Sequence, residues 1–263
     1  MAFGVGGAGV WQTRGIGRSL GVQPGGRHAV EAPAGSPVPS AGRRPRAVLV
    51  DVYGSMLRLS PLRRRFTDVG RPEHEYDLFL ALALRDAMGL ALTGTPAEFE
   101  GVLRDAVHAA TQHKLTAEAV DHVLCGLRAL PAHADAEPAL TVFARSRIPA
   151  WAVGQGSGER ISGALDSEGL RSFLRGTVAT DDLGTVVPHR DAYLLACAAA
   201  RVDPATTAFV SAHPYLVHGA MEAGLVGALA LRDGARAPQT MPPAHVCGAT
   251  LVEAAEKLLA LPA

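Results

Sequence analysis

The sequence is poor in cysteine and contains no long apolar run. Its three cysteines, Cys125, Cys197 and Cys247, are isolated and odd in number, which excludes a disulfide framework and the paired spacing of a structural zinc site. No apolar stretch reaches the roughly 18 residues that a membrane-spanning helix needs, and the first 45 residues lack the apolar core of a secretory signal. We therefore expect a cytoplasmic protein that has no membrane partner.

Lysine is also scarce, because Lys114 and Lys257 are the only lysines among 25 basic residues. The 25 acidic residues bring the formal net charge to zero, so no overall electrostatic field attracts nucleic acid. The chain is long, with 263 residues, and 48% of them are hydrophobic. A chain of this length and composition can bury a sizeable core together with an inserted second unit. These properties indicate one enzyme-sized unit with a small-molecule substrate or ligand, and they leave both a monomer and a homodimer open.

Residues 1–45 differ in composition from the rest of the chain. They are rich in Gly, Pro, Ser and Ala, and their charged residues are arginines apart from Glu31. This composition predicts a disordered basic tail, because it offers too little apolar surface for a packed core. The tail contains a formal G-x-G-x-x-G pattern at Gly4–Gly9, but no strand precedes it, so it does not indicate a dinucleotide site. We expect no cofactor.

The most informative local pattern is an apolar run that ends in an acid. Residues Ala47–Val50 are followed at once by Asp51 and then by Tyr53, Gly54 and Ser55. Such a run predicts a buried parallel strand, and ligands of open α/β sheets bind at the carboxyl ends of the strands. An aspartate in that position can act as a covalent nucleophile.

Further strands and helices alternate along the rest of the chain. Strands are predicted at residues 148–153, 177–179, 207–211 and 226–231, with helices between them. Residues 62–130, between the first and second strands, read as helices only. The pattern predicts an α/β fold with a doubly wound parallel sheet, formed by residues 46–61 and 131–263, and a helical cap inserted at 62–130.

The sequence from Asp51 to Ser55, with this order of elements, resembles the haloacid dehalogenase superfamily. It is most similar to the 2-haloacid dehalogenase branch, which has a tyrosine two residues after the nucleophile, as Tyr53 is here; phosphatase branches have a second aspartate there. The resemblance extends from Ala47 to about Ala255. It implies a Rossmann-like core with a cap, and an aspartate that attacks the substrate α-carbon, expels halide and is released by water. It also implies Tyr53 and Ser55 as substrate-binding residues, and no metal.

The second and third motifs of this family are altered. In the second motif, Gly154 replaces the usual serine or threonine, and Gln155 replaces the usual asparagine. The resemblance therefore assigns substrate binding to Gln155 and to Ser157 in the same loop. Val187 replaces the lysine of the third motif. The tyrosine that closes this motif is kept as Tyr193, and we expect it to contact substrate.

The fourth motif is altered as well. Its serine is kept as Ser211, a predicted substrate-binding residue, whereas its asparagine is His213 and its acid is Leu216. Histidine suits proton transfer near neutral pH, so we expect His213 to act as the general base that activates water.

Two hypotheses about function follow. The first is a diverged haloacid dehalogenase-like hydrolase, with Asp51 and His213 as catalytic residues, acting on a small, halogenated or related carboxylic acid. The second is a catalytically degenerate binding or scaffold protein with the same fold. The second arises because Gly154, Val187 and Leu216 replace polar groups of a kind that stabilise transition states by several kcal/mol.

Overall fold

The computed structural model describes residues 42–95 and 98–263. The predicted disordered tail therefore lies almost entirely outside the described residues. The strands are β1 (Ala47–Asp51), β2 (Ala150–Gly154), β3 (Gly176–Ala179), β4 (Thr207–Ser211), β5 (Val226–Ala230) and β6 (Val246–Gly248). The α-helices are α1 (Leu62–Asp68), α2 (His74–Thr93), α3 (Phe99–Ala110), α4 (Ala117–Cys125), α5 (Ala136–Arg145), α6 (Gly158–Ser167), α7 (Thr180–Leu183), α8 (Arg190–Ala200), α9 (Pro214–Glu222) and α10 (Leu251–Leu259).

The strands form one parallel sheet in the order β3-β2-β1-β4-β5-β6. β1 lies in the middle, where Val48 is paired with Ala150 of β2 and with Ala208 of β4. Successive side chains of a strand point to opposite faces, so Val48 and Val50 enter one hydrophobic cluster and Leu49 enters the other. Both faces of β1 are buried, which explains its continuous apolar sequence.

Helices cover both faces of the sheet. On the face of Val48, α5 and α10 contribute Phe143 and Leu258 to the cluster. On the face of Leu49, α8 and α9 contribute Tyr193 and Leu216. The predicted α/β fold with a doubly wound parallel sheet is confirmed, although β6 was not among the predicted strands.

Helices α1 to α4 form an insertion between β1 and β2, which we call the helical insertion (residues 62–130). Two of its helices have standard caps. The Thr116 hydroxyl caps the start of α4 by accepting from the Ala119 N–H, and α2 ends at Gly94, which has the left-handed conformation. The insertion packs Phe66 and Phe79 into the same cluster as Val48. In the described ranges, no helix is long and apolar enough to cross a membrane.

Candidate functional site

Asp51 is the last residue of β1, and its buried carboxylate is held by two hydroxyl groups. Oδ2 accepts hydrogen bonds from Ser55 Oγ at 2.5 Å and from Ser211 Oγ at 2.8 Å. An ionised carboxylate oxygen can only accept, so the serine hydroxyl is the donor in each of these two contacts. Both hydroxyl oxygens also accept from backbone N–H groups, of Ala212 and His213 respectively, and they lie 3.2 Å from each other. Each hydroxyl hydrogen therefore goes to Asp51, which gives the carboxylate one orientation.

The ionised form of Asp51 is poorly solvated. Burial raises the pKa of this carboxyl above its ordinary value, and it outweighs the electrostatic effect of the neighbouring His213 and the Ser55 and Ser211 hydrogen bonds, which lower the pKa. Because β1 is the middle strand, the carboxylate lies deep at the carboxyl edge of the sheet. This is the edge at which open α/β sheets bind their ligands.

His213 lies beside Asp51, and its tautomer is set by a backbone contact. Its Nε2 is 2.9 Å from the carbonyl oxygen of Tyr53, which can only accept, so Nε2 carries a hydrogen. Nδ1 is then the nitrogen able to accept a proton. The same Nε2 lies 3.9 Å from Asp51 Oδ2.

Gly54 makes this close approach of His213 possible. Its φ is +80°, a left-handed conformation that side chains disfavour. A Cβ atom at this position would lie 2.5 Å from His213 Nε2. The glycine of the Asp51 motif is therefore required both by its backbone conformation and by the imidazole that packs on it.

A cavity of about 210 Å³ opens between Asp51 and the helical insertion. The insertion lines it with apolar side chains, which include Phe79, Leu80, Ala83, Leu84, Phe99 and Leu103. Its polar wall is formed by Asp51, Tyr53, Gln155, Arg160 and His213. An apolar cavity with a few convergent polar groups has the character of a small-molecule site.

Three buried polar atoms of this wall have no hydrogen-bond partner among the described residues: the Tyr53 hydroxyl, Gln155 Oε1 and Arg160 Nε. Burial raises the pKa of Tyr53 to about 12, and the positive charge of Arg160 acts in the opposite direction. The Tyr53 hydroxyl thus remains protonated at neutral pH and can donate. Buried polar atoms are nearly always paired in folded proteins, so this set indicates a place for a ligand.

Arg160 was missed by the sequence analysis. It lies in the first turn of α6, it is 9% exposed, and it forms an ion pair with Glu100 of α3 in the helical insertion. One signal was available: the helix dipole disfavours a positive charge in a first turn, so an arginine there needs another partner. That partner is 60 residues away in sequence, and no local pattern links the two.

The remaining predicted residues fall in different places. Gln155 lines the cavity, whereas Ser157 is the exposed N-cap of α6 and its hydroxyl accepts from the Arg160 N–H. Tyr193 requires a correction. It is fully buried, its hydroxyl donates to the Leu216 carbonyl at 2.7 Å, and its ring packs edge-on against Phe209, so it joins α8 to α9 rather than facing the cavity.

Apolar packing occupies the three altered motif positions. A Cβ atom on Gly154 would lie 2.9 Å from the Ile161 side chain, so even a serine would not fit without movement. Val187 is buried in the cluster that contains Leu49. Leu216 is buried and contributes to the cavity wall.

The oxygen atoms around Asp51 do not fit a magnesium ion. Magnesium prefers about six oxygen ligands in an octahedron, whereas Asp51 Oδ2 already accepts two hydroxyl hydrogens and Leu216 offers no oxygen donor. Within residues 42–95 and 98–263, no group of three or more His, Cys, Asp or Glu side chains is arranged to hold a metal.

Comparisons with known proteins bear on the fold. No family model matches the sequence, and a search of curated proteins also finds no match. Among solved structures, the L-2-haloacid dehalogenase RSc1362 is similar with a TM-score of 0.75 and 20% identity, over 81% of this chain and 98% of that one. The L-2-haloacid dehalogenase of Xanthobacter autotrophicus has a TM-score of 0.73 and 19% identity, over 80% and 97% of the two chains.

A more distant match is the HAD-hydrolase YfnB of Bacillus subtilis, with a TM-score of 0.64 and 15% identity over 82% of this chain and 99% of that one. These similarities cover at least 80% of this chain and nearly the whole of each of the three solved structures. The chain therefore has the fold of the haloacid dehalogenase superfamily, in the form found in the L-2-haloacid dehalogenases.

Proposed function

We propose that this protein is a hydrolase in which Asp51 attacks a small carboxylic acid with a halogen on its α-carbon and an apolar chain. The observation that carries the proposal is the Asp51 carboxylate, which is buried at the base of an apolar cavity with Oδ2 held by Ser55 and Ser211. Because Oδ2 is occupied, Oδ1 is the nucleophile. The helical insertion serves as a cap that keeps water from the reacting carbon.

In the first half-reaction, Asp51 Oδ1 forms a bond to the substrate α-carbon. The carbon–halogen bond breaks, and the halide leaves with the bonding electron pair. The product is an ester between Asp51 and the acid. The two fixed hydroxyls keep the attacking oxygen in one place, which reduces the entropy lost on reaching the transition state.

In the second half-reaction, water attacks the carboxyl carbon of Asp51, and His213 Nδ1 accepts its proton. The bond between that carbon and the ester oxygen then breaks, the released oxygen takes the proton, and a 2-hydroxy acid leaves. The Tyr53 carbonyl supports this role because it holds the hydrogen on Nε2 and leaves Nδ1 basic. His213 thereby takes the role of the missing carboxylate at Leu216.

A similar protein supports the covalent route. The L-2-haloacid dehalogenase of Xanthobacter autotrophicus has been obtained with chloropropionic acid covalently bound. An ester of this kind is what the first half-reaction would produce. The proposal for this chain rests on its own Asp51 and not on that protein, to which it is 19% identical.

The second candidate is a binding protein that performs no chemistry. The apolar packing at Gly154, Val187 and Leu216 favours it, because each position lacks a polar group that the related enzymes use. A protein of this kind would keep the cavity and its three unpartnered polar atoms, and would bind without releasing halide.

The deciding experiment is a single turnover of a 2-halo acid in water enriched in heavy oxygen. We expect halide release and heavy oxygen in the peptide that contains Asp51, because water attacks the carboxyl carbon of the ester. Replacing His213 by Ala should slow ester breakdown more than ester formation, since only the second half-reaction needs a base. Replacing His122 by Ala is the matched control, because His122 lies on α4 and pairs with Asp68.

Three outcomes would change this conclusion. Label that enters the product but never Asp51 excludes the covalent route. Unchanged turnover in Asp51→Asn removes Asp51 from the mechanism. No halide release from a broad panel of acids, together with saturable binding of one of them, favours the binding protein.

A further inference from the structure

The ion pair between Arg160 and Glu100 joins the core to the helical insertion at the cavity. Arg160 is in α6 and lines the cavity, whereas Glu100 is in the first turn of α3. The two partners differ greatly in exposure, because the side chain of Arg160 is 7% exposed and that of Glu100 is 46% exposed. The charge of the buried Arg160 guanidinium is thus balanced by the carboxylate of Glu100, whose side chain is about half exposed to solvent.

The cavity leaves two donors without an acceptor. Arg160 Nε and the Tyr53 hydroxyl are both buried, both belong to the cavity wall, and both lack a partner among the described residues. A carboxylate supplies two acceptor oxygens and the negative charge that a buried guanidinium needs. The chemistry of this wall therefore fits an anionic head group better than a hydroxyl or an amine.

A second positively charged side chain lies close to the Glu100 carboxylate. This carboxylate lies 3.8 Å from Arg104, one turn further along α3, and Arg104 is already oriented by Asp121 at 2.7 Å. If Glu100 leaves Arg160, it can pair with Arg104 without unfolding any element. α3 keeps a second contact to the core in the meantime, because its Phe99 N–H donates to Asp181.

We propose that Arg160 determines specificity for a carboxylate, and that Glu100 occupies its guanidinium until the carboxylate of the ligand displaces it. The inference rests on the proposed function for the class of ligand, and it adds the residue that selects this class. Glu100 is then an internal competitor that weakens the binding of anions. The leucines of the insertion receive the apolar chain of the ligand.

The test is a calorimetric comparison of two probes, hexanoate and hexanamide, which have the same chain but differ in charge and carry no halogen. The wild-type protein should bind hexanoate more tightly than hexanamide. Replacing Glu100 by Gln should tighten hexanoate binding about threefold to fivefold, since it removes one partly exposed competing ion pair, and should leave hexanamide unchanged. Asp105→Asn is the control, because it removes an exposed carboxylate from the same helix.

Replacing Arg160 by Met should weaken hexanoate binding roughly 30-fold or more and abolish the preference over hexanamide. If this variant does not fold, the ratio of the two affinities in Glu100→Gln decides alone. Equal tightening of both probes, an unchanged hexanoate affinity, or the absence of saturable hexanoate binding would each overturn the proposal. Because neither probe can turn over, failure of the halide-release experiment leaves this result standing, and failure here leaves the chemistry at Asp51 to be judged separately.

Discussion

At the level of single residues, the buried Asp51 carboxylate lowers the stability of the fold at neutral pH. Burial makes its ionised form costly, and two hydroxyls and a neighbouring histidine offset only part of that cost. A carboxyl whose pKa is raised on folding stabilises the native state below its ordinary pKa of 3.8, and this contribution is lost as the pH rises through the higher folded value.

We therefore predict that Asp51→Asn raises the free energy of unfolding at neutral pH by about 1 kcal/mol. Asparagine keeps an acceptor for Ser55 and Ser211 but carries no charge to desolvate. Urea denaturation should show a gain that shrinks as the pH falls through the raised folded pKa of Asp51 and that is absent below pH 3.8, where both side chains are neutral. The exposed replacement Asp105→Asn should change stability by less than about 0.5 kcal/mol. A loss of stability in Asp51→Asn at neutral pH would contradict this reading.

Gly54 allows a second prediction, with an internal control. Gly54→Ala should cost about 2 kcal/mol or more, because it adds the strain of a positive φ to a clash with His213. Gly70 has a φ of +73° with open space where a Cβ would stand, so Gly70→Ala should cost only about 1 kcal/mol. Thermal denaturation of both variants measures the difference. Equal losses would show that the imidazole moves aside freely.

Asp51 could be located from sequence because a buried apolar strand ends at it, whereas Ser55 and Ser211 could be named only through the resemblance. The structure brings the three side chains within hydrogen-bond distance of one another. Tyr193 was misassigned because its hydroxyl is used by the Leu216 carbonyl, a contact set by the packing of α8 on α9. Arg160 was not among the predicted residues because its ion-pair partner, Glu100, belongs to a different element.

At the level of elements, an ion pair joins the Asp51 loop to the ends of two helices. Arg232, which follows β5, donates to both oxygens of Asp135 and to the carbonyl of Ser55. Asp135 also accepts from the Leu251 N–H at the start of α10. Both side chains of the pair are 16% exposed, so solvent screens the interaction weakly.

Asp135→Ala should therefore lower the free energy of unfolding by about 2 kcal/mol, since it leaves a charged guanidinium and a backbone N–H without their acceptor. Asp77→Ala is the matched control, because Asp77 accepts two hydrogen bonds from Arg63 in the same way but at the surface. That control should cost no more than about 0.5 kcal/mol. Chemical denaturation measures both, and similar losses would show that the buried pair contributes little.

Elements were predictable where the hydrophobic pattern was long or where a strand was buried on both faces. β1, β4 and β5 are buried at every position and are apolar apart from Asp51, Thr207 and Ser211, as expected for strands covered on both faces. β6 was missed because it has only three residues and follows a segment rich in proline. Its pairing with β5 depends on the sheet that precedes it, and no local propensity indicates it.

At the level of the whole molecule, stability should not depend on magnesium. The oxygen atoms near Asp51 are engaged with one another, and the position of the missing acid is filled by Leu216. We predict the same melting temperature with added magnesium and with a chelator. A rise with magnesium in the wild-type protein that is absent in Asp51→Asn would show that Asp51 is a metal ligand after all.

The place of β1 in the sheet has a consequence for synthesis of the chain. Val48 pairs with Ala150 of β2 and Ala208 of β4, and both are synthesised later than Val48. The helical insertion is synthesised between β1 and β2. A ribosome adds about 5–20 residues per second, so roughly 5–20 s separate β1 from β2. During that time the apolar strand that ends in Asp51 has no neighbour to pair with, so its unpaired backbone groups are open to association with other chains. The helical insertion accounts for most of the chain between β1 and β2, and its length therefore largely sets the duration of this exposure.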